Sequence, residues 1–274
     1  MENNNQKFQD FLLDTIKLEI EYGYLDSAET IRSSNFLSDE TKKQLKQNPE
    51  IQGALFEGIK SKIEEGDLDS AERIRNNEKF PLSDETKKQL KQNPEIQGAL
   101  FEGIKSKIKE GDLDSAERIR NSDFLSSKTK EQLKQDSEIQ EALSKAIKLR
   151  IERGYLDSAE RIRNSNFLSD ETKEQLKQNP KIQQALFEAI KSEIKRGNLD
   201  SAEIIINNEK FPLLDETKKQ LEGLEFQKFL FNIIESEIER GYLDSAERIK
   251  NNKAFPLSDE TKEQLKQNPK IQQA

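Results

Sequence analysis

Leu68-Asp69-Ser70-Ala71-Glu72-Arg73-Ile74-Arg75 is the stretch on which the reading of this chain turns, because its first five residues occur six times. The copies begin at Leu25, Leu68, Leu113, Leu156, Leu199 and Leu243, spaced 43, 45, 43, 43 and 44 residues apart. A fixed period in this range marks stacked units, each burying its apolar face against its neighbours. It predicts an extended array rather than a single catalytic pocket.

Outward from this string, the second unit reads as three helices. Asn48-Pro49-Glu50 has the chemistry of a helix start: an amide acceptor, a proline whose missing N–H costs nothing, and a carboxylate at the positive end of the dipole. Ile51, Ala54, Leu55, Ile59 and Ile63 follow at helical spacing, and Gly66 supplies the stop. The apolar arc, including Phe56 and Gly58, spans roughly 200°, wide enough for a helix wedged between two neighbours. Leu68, Ala71 and Ile74 share one face of the second helix. That helix ends in the row Asn76, Asn121, Asn164, Asn207 and Asn251, expected to act as C-caps because Asn tolerates the left-handed conformation. Ser83-Asp84-Glu85-Thr86 opens a third, more exposed helix through Leu90.

Unit length varies at the link between the second and third helices. It is short in Ser34-Asn35-Phe36-Leu37 and its counterparts at 122 and 165. It is two residues longer in Asn77-Glu78-Lys79-Phe80-Pro81-Leu82 and its counterparts at 208 and 252. In both forms Phe and Leu are expected to plug the core. Leu37–Ile63 and Leu82–Ile108 are identical over 27 residues, which indicates duplication within the chain. Phe226-Gln227-Lys228-Phe229-Leu230 resembles Phe8-Gln9-Asp10-Phe11-Leu12 more than the middle units. The array therefore divides by sequence into 1–222 and 223–274, with Gly223 at the seam. Asn268-Pro269-Lys270-Ile271 opens a seventh unit without a polar cap, so self-association through that end is one expectation.

Composition narrows the chemistry. Cys, His and Trp are absent, removing thiol nucleophiles, imidazole bases, disulfides and nearly every zinc site. No Gly-rich phosphate loop or metal-ligand cluster stands out, so neither enzyme activity nor a cofactor is expected. Charged residues make up 36% of the chain against 32% apolar, but the apolar ones are strictly spaced, which favours folding. The net charge of −8 lacks the basic excess of a general nucleic-acid binder. The first residues do not read as a signal peptide, and no run reaches the ~20 apolar residues of a membrane span. A cytoplasmic protein that does not enter membranes is the expectation.

Three rows are candidate ligand contacts. Lys17, Lys60, Lys105, Lys148 and Lys191 form a basic row on the first helix, broken by Glu235. Arg73, Arg118, Arg161 and Arg248 form another on the second helix, broken by Ile204, with Ile206 interrupting the companion row two residues on. Gln52, Gln97, Gln140 and Gln183, with Gln9 and Gln227, recur at the edge of the apolar arc. Each has a plainer reading: a solvated face of alternating charge for Lys, pairing with carboxylates of adjacent units for Arg, hydrogen bonds between units for Gln. Gly53 and Gly98 stand inside exposed helix at a cost of roughly 1 kcal/mol each against Ala.

Gly154-Tyr155-Leu156-Asp157-Ser158-Ala159-Glu160-Arg161-Ile162 resembles the helix hairpin of tetratricopeptide and pentatricopeptide repeats over about 27 residues of each unit. The longer period and third helix look more like the armadillo and HEAT group. The tetratricopeptide or armadillo resemblance implies protein or peptide binding on the concave face; the pentatricopeptide resemblance implies single-stranded RNA. The expectation is thus an all-α chain, an α-solenoid of six three-helix repeats of 43–45 residues, acting as a non-enzymatic scaffold for an extended protein or peptide. Near-identical surfaces would give affinity by avidity. Single-stranded RNA binding is the alternative, and a spacer or self-assembling array the third reading.

Overall fold

The computed structural model describes residues 2–272 and is all-helical, with no strand among the described residues. The chain divides into two compact halves, Met1–Leu133 and Lys134–Ala274, so the Gly223 seam lies inside the second. The first half holds α1 (Glu2–Glu21), α2 (Leu25–Ser33), α3 (Asp39–Gln44), α4 (Pro49–Glu64), α5 (Leu68–Arg75), α6 (Asp84–Gln92), α7 (Pro94–Glu110), α8 (Leu113–Asn121) and most of α9 (Ser127–Gln135). The second holds α10 (Ser137–Glu152), α11 (Leu156–Asn164), α12 (Asp170–Gln178), α13 (Pro180–Lys195), α14 (Leu199–Ile206), α15 (Asp215–Glu222), α16 (Leu224–Glu239), α17 (Leu243–Lys250), α18 (Asp259–Gln267) and α19 (Pro269–Gln272).

Local chemistry sets the ends of these helices. Asn48 Oδ1 accepts from the Glu50 and Ile51 amides, and Asn93 repeats the cap at α7. The glycine after each long helix, from Gly23 to Gly241, has φ between 78° and 81°, a left-handed stop that glycine alone adopts without strain. Ser83 Oγ accepts from the Thr86 amide to start α6, as expected.

The Asn76 row caps three of its five helices as expected, but not in the left-handed conformation. No described non-glycine residue has a positive φ: Asn76, Asn207 and Asn251 end their helices with φ between −97° and −92°, and Asn121 and Asn164 are the last helical residues. The next residue of each long link does the turning instead. Asn77 Oδ1 accepts from the Lys79 and Phe80 amides, and Asn208 and Asn252 do the same. This side chain mimics a backbone turn, which is how two extra residues are accommodated.

The core lies along the long helices and the link phenylalanines. Phe80, Phe124, Phe167, Phe211 and Phe255 are fully buried, each worth about 1.5–3 kcal/mol of transfer free energy. Phe36 departs from the expected plug: it is 67% exposed, edge-on to Phe8. Phe80 lies beneath Arg32 and Phe124 beneath Arg75, each in the preceding unit's second helix. In the first half, α1 packs on α4 and α4 on α7, and each long helix packs on the short helix after it. In the second half α10 packs on α13, and α13 meets α16 through Phe187 and Phe226.

Candidate functional site

The glutamine row is chiefly a clamp within each unit, and Gln52 and Gln183 also reach the unit before, donating to the Lys46 and Lys177 carbonyls. Gln52 Nε2 donates to the Pro81 carbonyl, while its Oε1 accepts from the Ser83 amide and the Thr86 hydroxyl. Gln97 joins Phe124, Ser126 and Thr129 in the same way, Gln140 joins Phe167 and Ser169, and Gln183 joins Pro212, Leu214 and Thr217. The amide thus ties the long helix to the link and third helix of its own unit. Donor and acceptor are both engaged, as a buried amide requires. The threonine partners went unnoticed in the sequence, although Thr recurs there in fixed register.

The basic rows lie at the junctions between units. Lys17 pairs with Glu50 at 3.5 Å and Lys60 with Glu95, a contact that raises the Lys60 ammonium pKa. Arg73 pairs with Asp26, Arg118 with Asp69, and Arg248 with Asp200 at 3.2 Å. In each case the carboxylate is the Asp of the repeated string one unit earlier. Lys105 and Arg161 have partners as well. Lys148 pairs within its own helix, with Glu152 at 3.0 Å, because Lys181 stands where other units carry the acceptor glutamate. Lys191 lies over the rings of Phe187 and Phe229. Ile204 is 61% exposed and offers Asp157 no cation.

Two kinds of junction emerge. At the α1–α4 and α10–α13 junctions, each after a short link, the long helices come close. A Cβ on Gly58 of α4 would stand 2.5 Å from the Ile20 carbonyl oxygen of α1, and Ala54 and Gly58 are buried. Across α10 and α13, Ala185 and Ala189 are buried and a Cβ on Gly154 would stand 2.9 Å from Glu193 Oε1. Nothing approaches Gly66 or Gly197 of the long-link units within 4 Å, nor Gly111 of a short-link unit. Long-link units instead gain a polar contact to the previous unit. Asn77, Asn208 and Asn252 donate to Glu29, Glu160 and Glu203, each at 2.6 Å. Lys79 also bonds Glu29, and this cation, then the Asn77 amide, holds the Glu29 carboxyl below its ordinary pKa.

These spacings leave two kinds of groove in the first half. Lys17 and Gln52 from the candidate rows come together on a polar groove of about 670 Å³ between α1 and α4, with Glu50, Gly53 and Phe56. A Cβ on Gly53 would meet nothing within 4 Å, so its backbone is open. A more apolar cleft of about 350 Å³ lies between α4 and α7. Among the described residues no group of His, Cys, Asp or Glu is arranged to hold a metal, and no helix is long and apolar enough to cross a membrane. No protein family, characterised protein or solved structure matches this chain.

Proposed function

We propose that this chain is a non-enzymatic scaffold: an α-solenoid whose six three-helix units present serial grooves to an extended protein or peptide. The observation that carries the reading is the recurrence of the same long helix, packed in series within each half with grooves beside it in the first. Contacts repeated at a period of 43–45 residues would add weakly and in parallel, so an extended ligand engaging several units gains effective concentration rather than one strong site. The Lys and Arg rows enter as exchangeable contacts. Arg73, Arg118 and Arg248 are half-exposed in their ion pairs, and surface pairs contribute only about 0–1 kcal/mol, so a partner's carboxylates can replace the internal ones at little cost.

The test is retention of material from a native lysate on the immobilised chain, with and without nuclease. The scaffold reading expects a discrete protein that survives nuclease. Retention abolished by nuclease would replace it with single-stranded RNA binding, to which the Lys ladder would contribute phosphate contacts.

A further inference from the structure

The apolar cleft between α4 and α7 is lined by Ile63, Leu68, Ala99, Leu100, Gly103 and Ile119, and its mouth carries Glu64, Glu65 and Glu102. It opens because Ala99 and Gly103 are small while the helices stand apart. Ala99, Gly103 and Ile119 are only half-buried, and a Cβ on Gly103 would meet only Ile119 Cδ1, at 3.9 Å. A second long-link junction, between α13 and α16, has the same register with different residues. Counted from the clamp glutamines, Gln97 and Gln227, the positions of Ala99 and Gly103 are taken by Phe229 and Ile233. Phe229 packs on Phe226 at 5.7 Å and lies under Lys191 of α13. The chain thus covers one such junction with an aromatic side chain of its own, carries a β-branched residue at the second position, and leaves the α4–α7 junction unfilled.

We propose that the α4–α7 cleft docks a bulky apolar side chain, Phe or Ile in kind, of a partner protein segment whose flanking residues are basic. The internal filler defines the apolar chemistry, and the rim, where Glu102 stands beside the Lys60–Glu64 and Lys62–Glu65 pairs, keeps one more carboxylate than ammonium and so favours a cationic flank. A preformed apolar pocket of this size with a few polar groups at its edge suits an anchor residue, and the rim charges favour cationic neighbours. This assignment rests on the scaffold reading and names the partner's recognition element.

The test selects a random peptide display library on the full chain and counter-selects on Ala99→Phe/Gly103→Ile, which copies the filled junction. Peptides with an aromatic or β-branched residue beside Lys or Arg should be enriched. Their affinity for the filled variant should fall about tenfold. Glu64→Lys, which copies Lys109 of the adjacent unit and so guards against misfolding, should weaken them about threefold. Recovery of the same peptides on wild-type and filled chains, or of peptides without an apolar anchor, overturns the proposal. So does indifference to Glu64→Lys. A nuclease-resistant lysate partner held equally by the filled variant would leave the scaffold reading standing and remove the cleft from it. Peptide selection at the cleft together with nuclease-sensitive lysate retention would do the reverse.

Discussion

Leu37–Asn76 and Leu82–Asn121 differ at one residue, Glu64 against Lys109, yet α4 and α7 within them pack differently. Helix α4 presses its Ala54–Gly58 face onto α1; α7 leaves the same face, Ala99–Gly103, half-open toward α4. The difference lies upstream. Ser34-Asn35-Phe36 precedes the first stretch, and Asn77-Glu78-Lys79-Phe80-Pro81 precedes the second. Link and third helix are the only covalent path to the next long helix, so a longer link relaxes the tie that holds consecutive long helices together. The α10–α13 and α13–α16 junctions repeat the contrast with unrelated surface residues. The lesson is that identical local sequence does not fix an interface when the spacing around it changes.

The largest expected effect sets one glycine against its copy. Gly58→Ala forces a Cβ against the Ile20 carbonyl and should destabilise the chain by about 1–3 kcal/mol. Gly103→Ala should stabilise it by up to about 1 kcal/mol, because only the helix-propensity gain remains. Urea unfolding, with hydrogen exchange to locate the change, reads both. Equal effects at the two sites would erase the distinction between close and open junctions. Extending the link at Asn35 by two residues should sharpen it by removing most of the Gly58→Ala penalty.

Next in size is Asn77→Ala, which removes the acceptor of the Lys79 and Phe80 amides and the donor to Glu29. We expect a loss of about 1–2 kcal/mol, with faster exchange in the link and α6. Unchanged exchange there would mean that Phe80 alone holds the long link. The smallest effect is a pH dependence confined to this contact. Glu29 titrates below the ordinary glutamate value of about 4.3, through its bonds to Lys79 and then Asn77. A depressed carboxylate stabilises the fold above its unfolded-state pKa, and that contribution is lost as pH falls through the folded-state value. Acid should therefore loosen the long link between about pH 4.3 and lower values, and Glu29→Gln should flatten that part of the stability profile.

Much of the unit was legible from residues alone because its signals are local. Asn-Pro starts, glycine stops and the helical spacing of Ile51, Leu55, Ile59 and Ile63 report on bonds and contacts within a turn or two of themselves. The candidate rows were legible as rows but not as partners. A lysine that recurs in five of the six units looks like a ligand ladder until Glu50 and Glu95 are seen across the junction from Lys17 and Lys60. The Gln–Thr clamp joins residues 32 to 34 apart, and no local period connects them. Asn76, Asn207 and Asn251 cap their helices as their residue type suggests, but without the left-handed turn, and only the backbone path shows that Asn77 next to Asn76 makes the turn.

The sequence by itself determined the helices, their caps, the wide apolar arc of the long helix and the two link lengths. These follow from short-range hydrogen bonding and side-chain periodicity. Tertiary structure alone decided which glycine is a close approach and which an empty place, where the charged rows find their partners, and that one long-link junction is filled while another is open. Those outcomes depend on distances between segments more than thirty residues apart, set by how rigid helices stand against one another rather than by any residue's own preference.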